Sequence, residues 1–180
     1  MNKSKTDYVI NNDNTIRYTL GKYTRNPLII FGINPSKADA EQNDNTISIV
    51  EHIAKIRKCD GYLMLNLCPL RATNINKNFF VKCNDEMFAF NLECIRERIY
   101  DSAEVVAAWG AHISDSEIFI DSLEKINDII KEKNAKWICL SETQSGHPHH
   151  PTRLAYKNMT FEVFDMDMYI HKLKTKQIKK

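Results

Sequence analysis

The polar residues best placed for chemistry in this chain follow directly after an apolar run. Residues 28–31 (L-I-I-F) form that run, and Asn34 and Ser36 come next, on a turn that Gly32 and Pro35 stiffen. An amide side chain offers a hydrogen-bond donor and an acceptor, and a hydroxyl offers both on one atom. Such a pair at the end of a strand can bind a polar ligand, although the same residues are also typical of an ordinary tight turn.

Two further polar residues follow apolar runs in the same way. Asn66 lies near the end of residues 62–67 (Y-L-M-L-N-L), and His147 lies in the polar loop after residues 136–141 (K-W-I-C-L-S). Because the carboxyl ends of parallel strands meet at one edge of a sheet, we expect Asn34, Asn66 and His147 to line one pocket there. Two amides and a histidine suit recognition of a planar heterocycle, since an amide matches the donor and acceptor edge of a base.

The elements that must position these residues are indicated by alternating apolar runs and helical patterns. Four runs without polar alternation are typical of strands buried on both faces, and they cover residues 28–31, 62–67, 104–110 and 136–141. Helices are indicated at about 46–58, 84–100 and 115–133, with Asp44 or a neighbour capping the first and Asn84 the second. The expected fold is α/β, a three-layer α/β/α arrangement around a mostly parallel four-stranded central sheet.

The flanking segments carry weaker signals. Residues 16–23 alternate as in an edge strand or hairpin arm, and residues 161–166 have the pattern of a further edge strand. Residues 1–14 and 170–180 are polar or basic, and we expect them to be flexible around a core at about 16–168. No linker or repeat interrupts the chain, so residues 1–180 are expected to form a single domain.

The composition narrows the class of protein. With 43% hydrophobic and 27% charged residues the chain is typical of a soluble globular protein. It has no apolar run of bilayer length and no signal-peptide core, so we expect a cytoplasmic protein without membrane contact, and as a monomer. The five cysteines lack C-x-x-C spacing and are expected to be free thiols. The net charge of +2 neither favours nor excludes nucleic acid.

The run H-P-H-H-P at residues 147–151 has a metal-binding interpretation, because histidine is a common metal ligand. Its prolines splay neighbouring side chains, and no adjacent cysteine or carboxylate completes a ligand set, so we expect no metal and no cofactor. The chain also lacks a glycine-rich phosphate loop, a G-x-S-x-G elbow and an H-E-x-x-H motif.

The order of these motifs resembles the uracil-DNA glycosylase superfamily. The residues G-I-N-P at 32–35 are similar to the first motif of its mismatch-specific uracil/thymine branch, in which the Asn positions the attacking water. Asn66 falls where the superfamily carries its uracil-reading Asn, and a strand ending in W-G at 109–110 precedes the last motif. His147 and the proline after it are similar to the start of that motif, whose His faces the departing base. Ser36 departs from the branch, which has Gly there.

A closer resemblance is to the bacterial and phage domain-of-unknown-function family 1643. Its signature is matched by N-P-S-x-A-D at 34–39, D-x-T at 44–46, N-L-x-x-L-R-A-T at 66–73, W-G at 109–110 and G-H-P-x-H-P at 146–151. This family has no known activity.

Together the resemblances imply an N-glycosidase acting on a base in DNA or on a nucleotide. Asn34 and His147 would be catalytic, with Asn34 holding water and His147 facing the leaving base, and Asn66, Ser36 and Gly32 would bind the base. The residues expected to contact phosphate or nucleic acid are Arg71, His149, His150 and Arg153, with Leu154 as a candidate wedge. Arg71 also has the plainer interpretation of a surface or carboxylate-paired arginine.

A second class of function remains open. The chain can be a non-catalytic module that binds a nucleobase, a nucleotide or modified DNA in the same pocket, because an amide at position 34 is a weak base. Trp109 lies inside an apolar strand, so it is expected in the core rather than as a stacking platform.

Overall fold

A computed structural model describes residues 4–153 and 160–178 of the chain. They form a mixed α/β fold whose strands all belong to one sheet. The strands are β1 (Lys5–Ile10), β2 (Arg17–Tyr23), β3 (Leu28–Gly32), β4 (Tyr62–Asn66), β5 (Glu104–Ala107), β6 (Lys136–Cys139) and β7 (Glu162–Val163). The helices are α1 (Asn45–Ile56), α2 (Lys77–Val81), α3 (Asp85–Arg98), α4 (Glu117–Glu132) and α5 (Met166–Ile178), with short 3-10 helices at Gly110–Asp115 and Pro151–Arg153.

The sheet has seven strands in the order β1-β2-β4-β3-β5-β6-β7. Its centre, β4-β3-β5-β6, is parallel, and these are the four strands predicted from the apolar runs. The prediction of a four-stranded sheet was wrong in size, because β1, β2 and β7 extend the parallel centre by antiparallel pairing. Of these outer strands, β2 and β7 lie within the segments 16–23 and 161–166 that have edge-strand patterns, whereas the polar strand β1 was not predicted.

Side chains of the parallel strands alternate between two hydrophobic clusters, as the period of two in a strand requires. Ile29 and Phe31 belong to a cluster that includes residues of α2, α3, α4 and α5. Leu28 and Ile30 belong to a second cluster, which includes residues of α1. Burial on both faces therefore explains why these strands read as unbroken apolar runs.

The amino-terminal segment contains a strand where flexibility was expected. Asp7 on β1 accepts hydrogen bonds from Thr19 Oγ1 at 2.7 Å and from Arg98 Nε at 3.0 Å. The Asp7 and Arg98 side chains are only 10% and 16% exposed. The structure thus places a strand within residues 1–14, at Lys5–Ile10, and a charged pair joins this strand to α3.

The carboxyl-terminal segment also departs from the expectation. Helix α5 extends to Ile178, although residues 170–180 were expected to be flexible. The apolar side chains of Tyr169, Ile170 and Leu173 are buried in the core on one face of this helix. The many basic residues of this segment led to the prediction of a flexible tail, although the apolar residues lie on one face of a helix.

Helix caps agree with the sequence. Asp44 Oδ1 accepts a hydrogen bond from the Ile47 N–H at 2.9 Å, and Asn84 Oδ1 accepts one from the Met87 N–H at 2.8 Å. Both predicted N-caps are confirmed. Within the described part of the chain, no helix is long and apolar enough to cross a membrane.

The Asp60 carboxylate joins the loop before β3 to the residues before β4. It accepts hydrogen bonds from Thr24 Oγ1 and from the backbone N–H groups of Arg25 at 2.7 Å and Asn26 at 2.9 Å. Desolvation raises the pKa of this carboxyl, but the hydrogen bonds, with that from Thr24 foremost, outweigh it and lower the pKa to about 2. The carboxylate thus aligns the two strands on which the candidate site is built.

Replacing Asp60 by alanine should lower the free energy of unfolding at pH 7 by about 1 kcal/mol, a small value because the carboxylate is exposed. A lowered pKa contributes stability above its unfolded value of 3.8, and that contribution is lost as the pH falls towards about 2. Urea unfolding of Asp60→Ala and wild type should therefore differ less at pH 2.5 than at pH 7. The exposed Asp101→Ala serves as control, and an equal difference at both pH values would contradict the assigned role.

Candidate functional site

A cavity of about 550 Å³ lies at the carboxyl edge of the parallel strands. Gly32 at the end of β3, Asn34 and Ser36 after it, Trp109 after β5 and His150 after β6 all line it. The cavity therefore gathers polar residues from several loops at the edge where α/β sheets bind ligands. Four of the residues that the sequence analysis assigned to the site line this cavity: Gly32, Asn34, Ser36 and His150.

The Asn34 side chain is held by backbone carbonyl groups. Its Nδ2 donates to the oxygens of Ala72 at 2.8 Å, Pro35 at 3.2 Å and Leu70 at 3.4 Å. These contacts consume the donor of the amide and fix its orientation. Oδ1 remains as the atom of Asn34 that can accept a hydrogen bond from a ligand or a water molecule.

The turn after Asn34 is braced by a carboxylate and an arginine. Ser36 Oγ donates to Asp44 Oδ2, and Arg71 Nη1 donates to the backbone oxygens of Ser36 at 2.7 Å and Ala38 at 3.0 Å. Arg71 Nη2 donates to Tyr8 OH at 2.9 Å, and Arg71 does not line the cavity. Arg71 thus holds the turn through carbonyl groups, which neither of its two sequence interpretations anticipated.

Asn66 lies behind the cavity wall at Gly32. The two residues are register partners in the parallel β3–β4 pair, and a Cβ on Gly32 would lie 3.3 Å from Asn66 Oδ1. Asn66 is fully buried, and neither Oδ1 nor Nδ2 has a hydrogen-bond partner among the described residues. The same Cβ would lie 2.7 Å from the end of the Met64 side chain, so a larger residue at position 32 would displace that flexible side chain.

His147 does not line the cavity, contrary to the expectation that it would join Asn34 and Asn66 there. Its ring is buried, and Nδ1 lies 2.8 Å from the hydroxyl of Tyr169 on α5. That hydroxyl also accepts a hydrogen bond from Trp109 Nε1 at 3.3 Å. Burial, and secondarily the charge of Lys176, lowers the pKa of His147, so the neutral ring is favoured. The contact with Tyr169 connects the loop of His147 to α5.

His150 is the histidine of the same run that lines the cavity. Its Nδ1 accepts a hydrogen bond from the Thr152 N–H at 3.3 Å and lies 2.8 Å from Thr152 Oγ1. Burial, followed by the charge of Arg153, lowers the pKa of His150 and favours the neutral ring. With Nδ1 accepting, the ring proton is on Nε2, so His150 offers a hydrogen-bond donor.

The other residues expected to contact nucleic acid lie outside the cavity. His149 is half-buried with its backbone N–H bonded to the Ser141 oxygen at 3.0 Å, and Arg153 is exposed; neither lines the cavity. Leu154, the candidate wedge, lies outside the described residues.

Arg17 is a cavity residue that sequence reasoning missed. It starts β2, which runs antiparallel to β4, so it reaches the carboxyl edge from the opposite direction. The residue is 1% exposed, lines the cavity and donates from Nη1 to the Ala38 oxygen at 2.8 Å. Burial, then the charge of Arg71, lowers its pKa to about 10. The only signal in the sequence was a charge inside an alternating strand pattern.

Trp109 belongs to both the core and the cavity. It is 1% exposed and packs at 78° to Trp137 with ring centroids 5.7 Å apart, as expected for a core residue. It is also one of the residues that line the cavity. Within residues 4–153 and 160–178, no three His, Cys, Asp or Glu side chains form a group that could hold a metal ion.

The fold and the site define an α/β protein with a polar cavity at the carboxyl edge of a parallel sheet. A family model described as "Protein of unknown function (DUF1643)" matches residues 17–152, and the chain belongs to this family. The closer of the two sequence resemblances is thereby confirmed. No curated protein and no solved structure matches the chain.

The three backbone carbonyl oxygens that accept from Asn34 Nδ2 make this position unsuitable for a carboxylate. In Asn34→Asp a carboxylate oxygen would face the Ala72, Pro35 and Leu70 oxygens, which should cost about 1–3 kcal/mol of unfolding free energy at pH 7. Repulsion raises the folded-state pKa of the new carboxyl, so the loss should shrink as the pH falls below that pKa towards 4. Chemical unfolding at pH 4 and pH 8 measures both effects.

Asn84→Asp is the matched control for this substitution. Asn84 Oδ1 accepts an N–H at a helix N-cap, where a carboxylate is equally suitable, so this variant should keep wild-type stability. If Asn34→Asp were as stable as Asn84→Asp at pH 8, the carbonyl contacts of Asn34 would not hold in solution.

Proposed function

We propose that the protein recognises a nucleobase, as part of DNA or of a nucleotide, in the cavity at the carboxyl edge of the sheet. The observation that carries this proposal is the fully buried Asn66 amide behind Gly32, neither polar atom of which has a partner in the described part of the chain. A buried amide without partners costs about 1–3 kcal/mol, so its retention is expected where a ligand completes its hydrogen bonds.

The amide matches the edge of a base. One donor and one acceptor side by side on Asn66 pair with the adjacent acceptor and donor that a nucleobase presents. His150, another residue that lines the cavity, supplies an Nε2–H donor. This combination suits a planar, polar heterocycle better than a sugar or a fatty acyl chain.

Access to Asn66 requires a small movement of Met64. Met64 lines the cavity, and its methyl group lies beside both Gly32 and Asn66. An unbranched thioether side chain changes rotamer readily. A shift of Met64 would therefore open the amide to the cavity without moving the backbone of β3 or β4.

The proposal includes a uracil-DNA glycosylase-like three-layer arrangement around the parallel strands. Its support is the division of the core into one cluster with α1 and another with α2 to α5. A second support is the position of G-I-N-P and of Asn66, which follow or end neighbouring parallel strands in the order that the resemblance requires.

Substituting Asn66 by leucine should separate stability from binding. Asn66→Leu removes an unpartnered buried amide, so it should leave the unfolding free energy unchanged or raise it by about 1 kcal/mol while abolishing ligand binding. Thermal unfolding and calorimetric titration with nucleobases, nucleosides and nucleotides measure the two effects.

Asn127→Leu is the matched control. Asn127 is also buried, but its Nδ2 donates to Asp167 at 2.8 Å and its Oδ1 accepts from Trp137 Nε1 at 3.0 Å. Its loss should destabilise the fold by about 1–3 kcal/mol and leave binding intact in the remaining folded protein. Equal destabilisation by both substitutions, with unchanged binding in Asn66→Leu, would refute the proposed role of Asn66.

Release of the base is the second candidate function, and the geometry of Asn34 favours it. With Nδ2 fixed by three carbonyl groups, Oδ1 is available to orient a water molecule. The water oxygen would bond to the anomeric carbon while the N-glycosidic bond breaks. The bond's electron pair leaves on the base, which finally takes up the proton lost by water. His150, rather than His147, would donate a hydrogen bond to the departing base.

Base release is tested on single strands and duplexes that contain uracil, thymine mismatches or modified pyrimidines, with alkali-labile cleavage as the readout. His150→Ala should lower the rate by about 10²–10³, the usual effect of losing one such donor. His149→Ala is the matched control from the same run and should retain the rate. Asn66-dependent binding without release of any base would establish the binding module instead.

A further inference from the structure

Arg17 is a buried guanidinium with almost none of its hydrogen-bonding capacity used. The guanidinium has five N–H donors, and within residues 4–153 and 160–178 it makes one hydrogen bond, from Nη1 to the Ala38 oxygen at 2.8 Å. Nε is buried without a partner, and Nη2 has no hydrogen bond among the described residues. A buried charge usually has an ionic partner, so this arginine departs strongly from the norm.

The charged group that acts most strongly on Arg17 is a second arginine, Arg71. Arg71 donates to the same Ala38 oxygen at 3.0 Å, which brings two guanidinium groups to one carbonyl. Neither arginine forms an ion pair with a carboxylate in the described part of the chain. Asp44 is near enough to act electrostatically on Arg17, but its two oxygens already accept from Ile47 N–H and Ser36 Oγ.

We propose that Arg17 binds the phosphoryl group of a nucleoside phosphate in the cavity. Arg71, which donates to the same Ala38 oxygen, adds a second positive charge near this phosphoryl group. The inference rests on the proposed recognition of a base and narrows it to a ligand that carries its own anion. A phosphoryl group presents several oxygens to the planar fork of a guanidinium and can accept from Nη2 and Nε together.

The burial of Arg17 determines which kind of phosphate group can reach it. Backbone phosphates of a duplex stay at the protein surface, where exposed lysines and arginines meet them. Arg17 is 1% exposed, so it can meet only an anion that enters the cavity. The cavity volume of about 550 Å³ is within the ordinary range for a small-molecule ligand. A free nucleotide therefore fits better than the backbone of a bound helix.

The test compares a nucleoside with its 5′-monophosphate by calorimetric titration at fixed ionic strength. Wild type should bind the monophosphate about 10- to 100-fold more tightly, the value of one charge-assisted contact. In Arg17→Met this ratio should fall to about one while the nucleoside affinity stays unchanged. Arg17→Lys keeps the charge without the fork and should give an intermediate ratio.

Two controls isolate the assigned contact. Arg96→Met removes an exposed arginine that pairs with Glu132 at the surface and should retain the wild-type ratio. Arg17→Met should keep the wild-type melting temperature, because the Ala38 oxygen retains its bond from Arg71. If Arg17→Met does not fold, the ratio measured in Arg17→Lys decides the proposal, and an unchanged ratio there overturns it.

Inorganic phosphate and a 5′-phosphorylated oligonucleotide separate the remaining outcomes. A monophosphate-to-nucleoside ratio that is the same in wild type and Arg17→Met overturns the phosphate site and leaves base recognition intact. Arg17-dependent binding of inorganic phosphate as tight as that of nucleotides overturns base recognition and supports the anion site. Tighter Arg17-dependent binding of the oligonucleotide overturns the free nucleotide as ligand. Binding of none of these probes overturns both proposals.

Discussion

The parallel pairing of β3 with β4 is the constraint on which the rest of the site depends. It sets Gly32 opposite Asn66, and the absence of a side chain at Gly32 leaves room for the Asn66 amide and the end of Met64. A shift of this register by one residue would turn Asn66 to the other face of the sheet, into the cluster with Phe31. Asp60 secures the register from the amino ends of both strands, so the position of the amide follows from hydrogen bonds at the opposite edge of the sheet.

Two features of the carboxyl edge oppose stability, and both are polar. Among the described residues, the buried Asn66 amide has no partner and the buried Arg17 guanidinium makes a single hydrogen bond. Tyr62 OH, Arg71 Nε and Asn91 Oδ1 are also buried without a partner among the described residues, but none of these three residues lines the cavity. Because unpartnered buried polar groups are costly, the position of Asn66 and Arg17 at one cavity favours a ligand that completes their hydrogen bonds. Asn66 and Arg17 differ in chemistry, so together they favour a ligand with a heterocycle and an anion.

The sequence predicted the strands that carry the site because continuous apolar runs have few alternatives to a doubly buried strand. It also predicted the caps at Asp44 and Asn84, whose chemistry is local. It could not predict β1, where the structural role of Asp7 depends on Arg98, far along the chain. The sequence could not show which of His147 and His150 lines the cavity, because this depends on the contacts of the two rings with Tyr169 and Thr152. Arg17 escaped notice because its burial is a consequence of antiparallel pairing, which no local pattern encodes.

The most direct measurement of the central claim is a crystal structure of the protein soaked with nucleoside monophosphates. We expect density for a base within hydrogen-bond distance of Asn66 Oδ1 and Nδ2, with the phosphoryl group on Arg17 and the Met64 side chain displaced from Gly32. A ligand bound elsewhere, or one that occupies the cavity while the Asn66 amide and the Arg17 guanidinium keep only their present contacts, would contradict it.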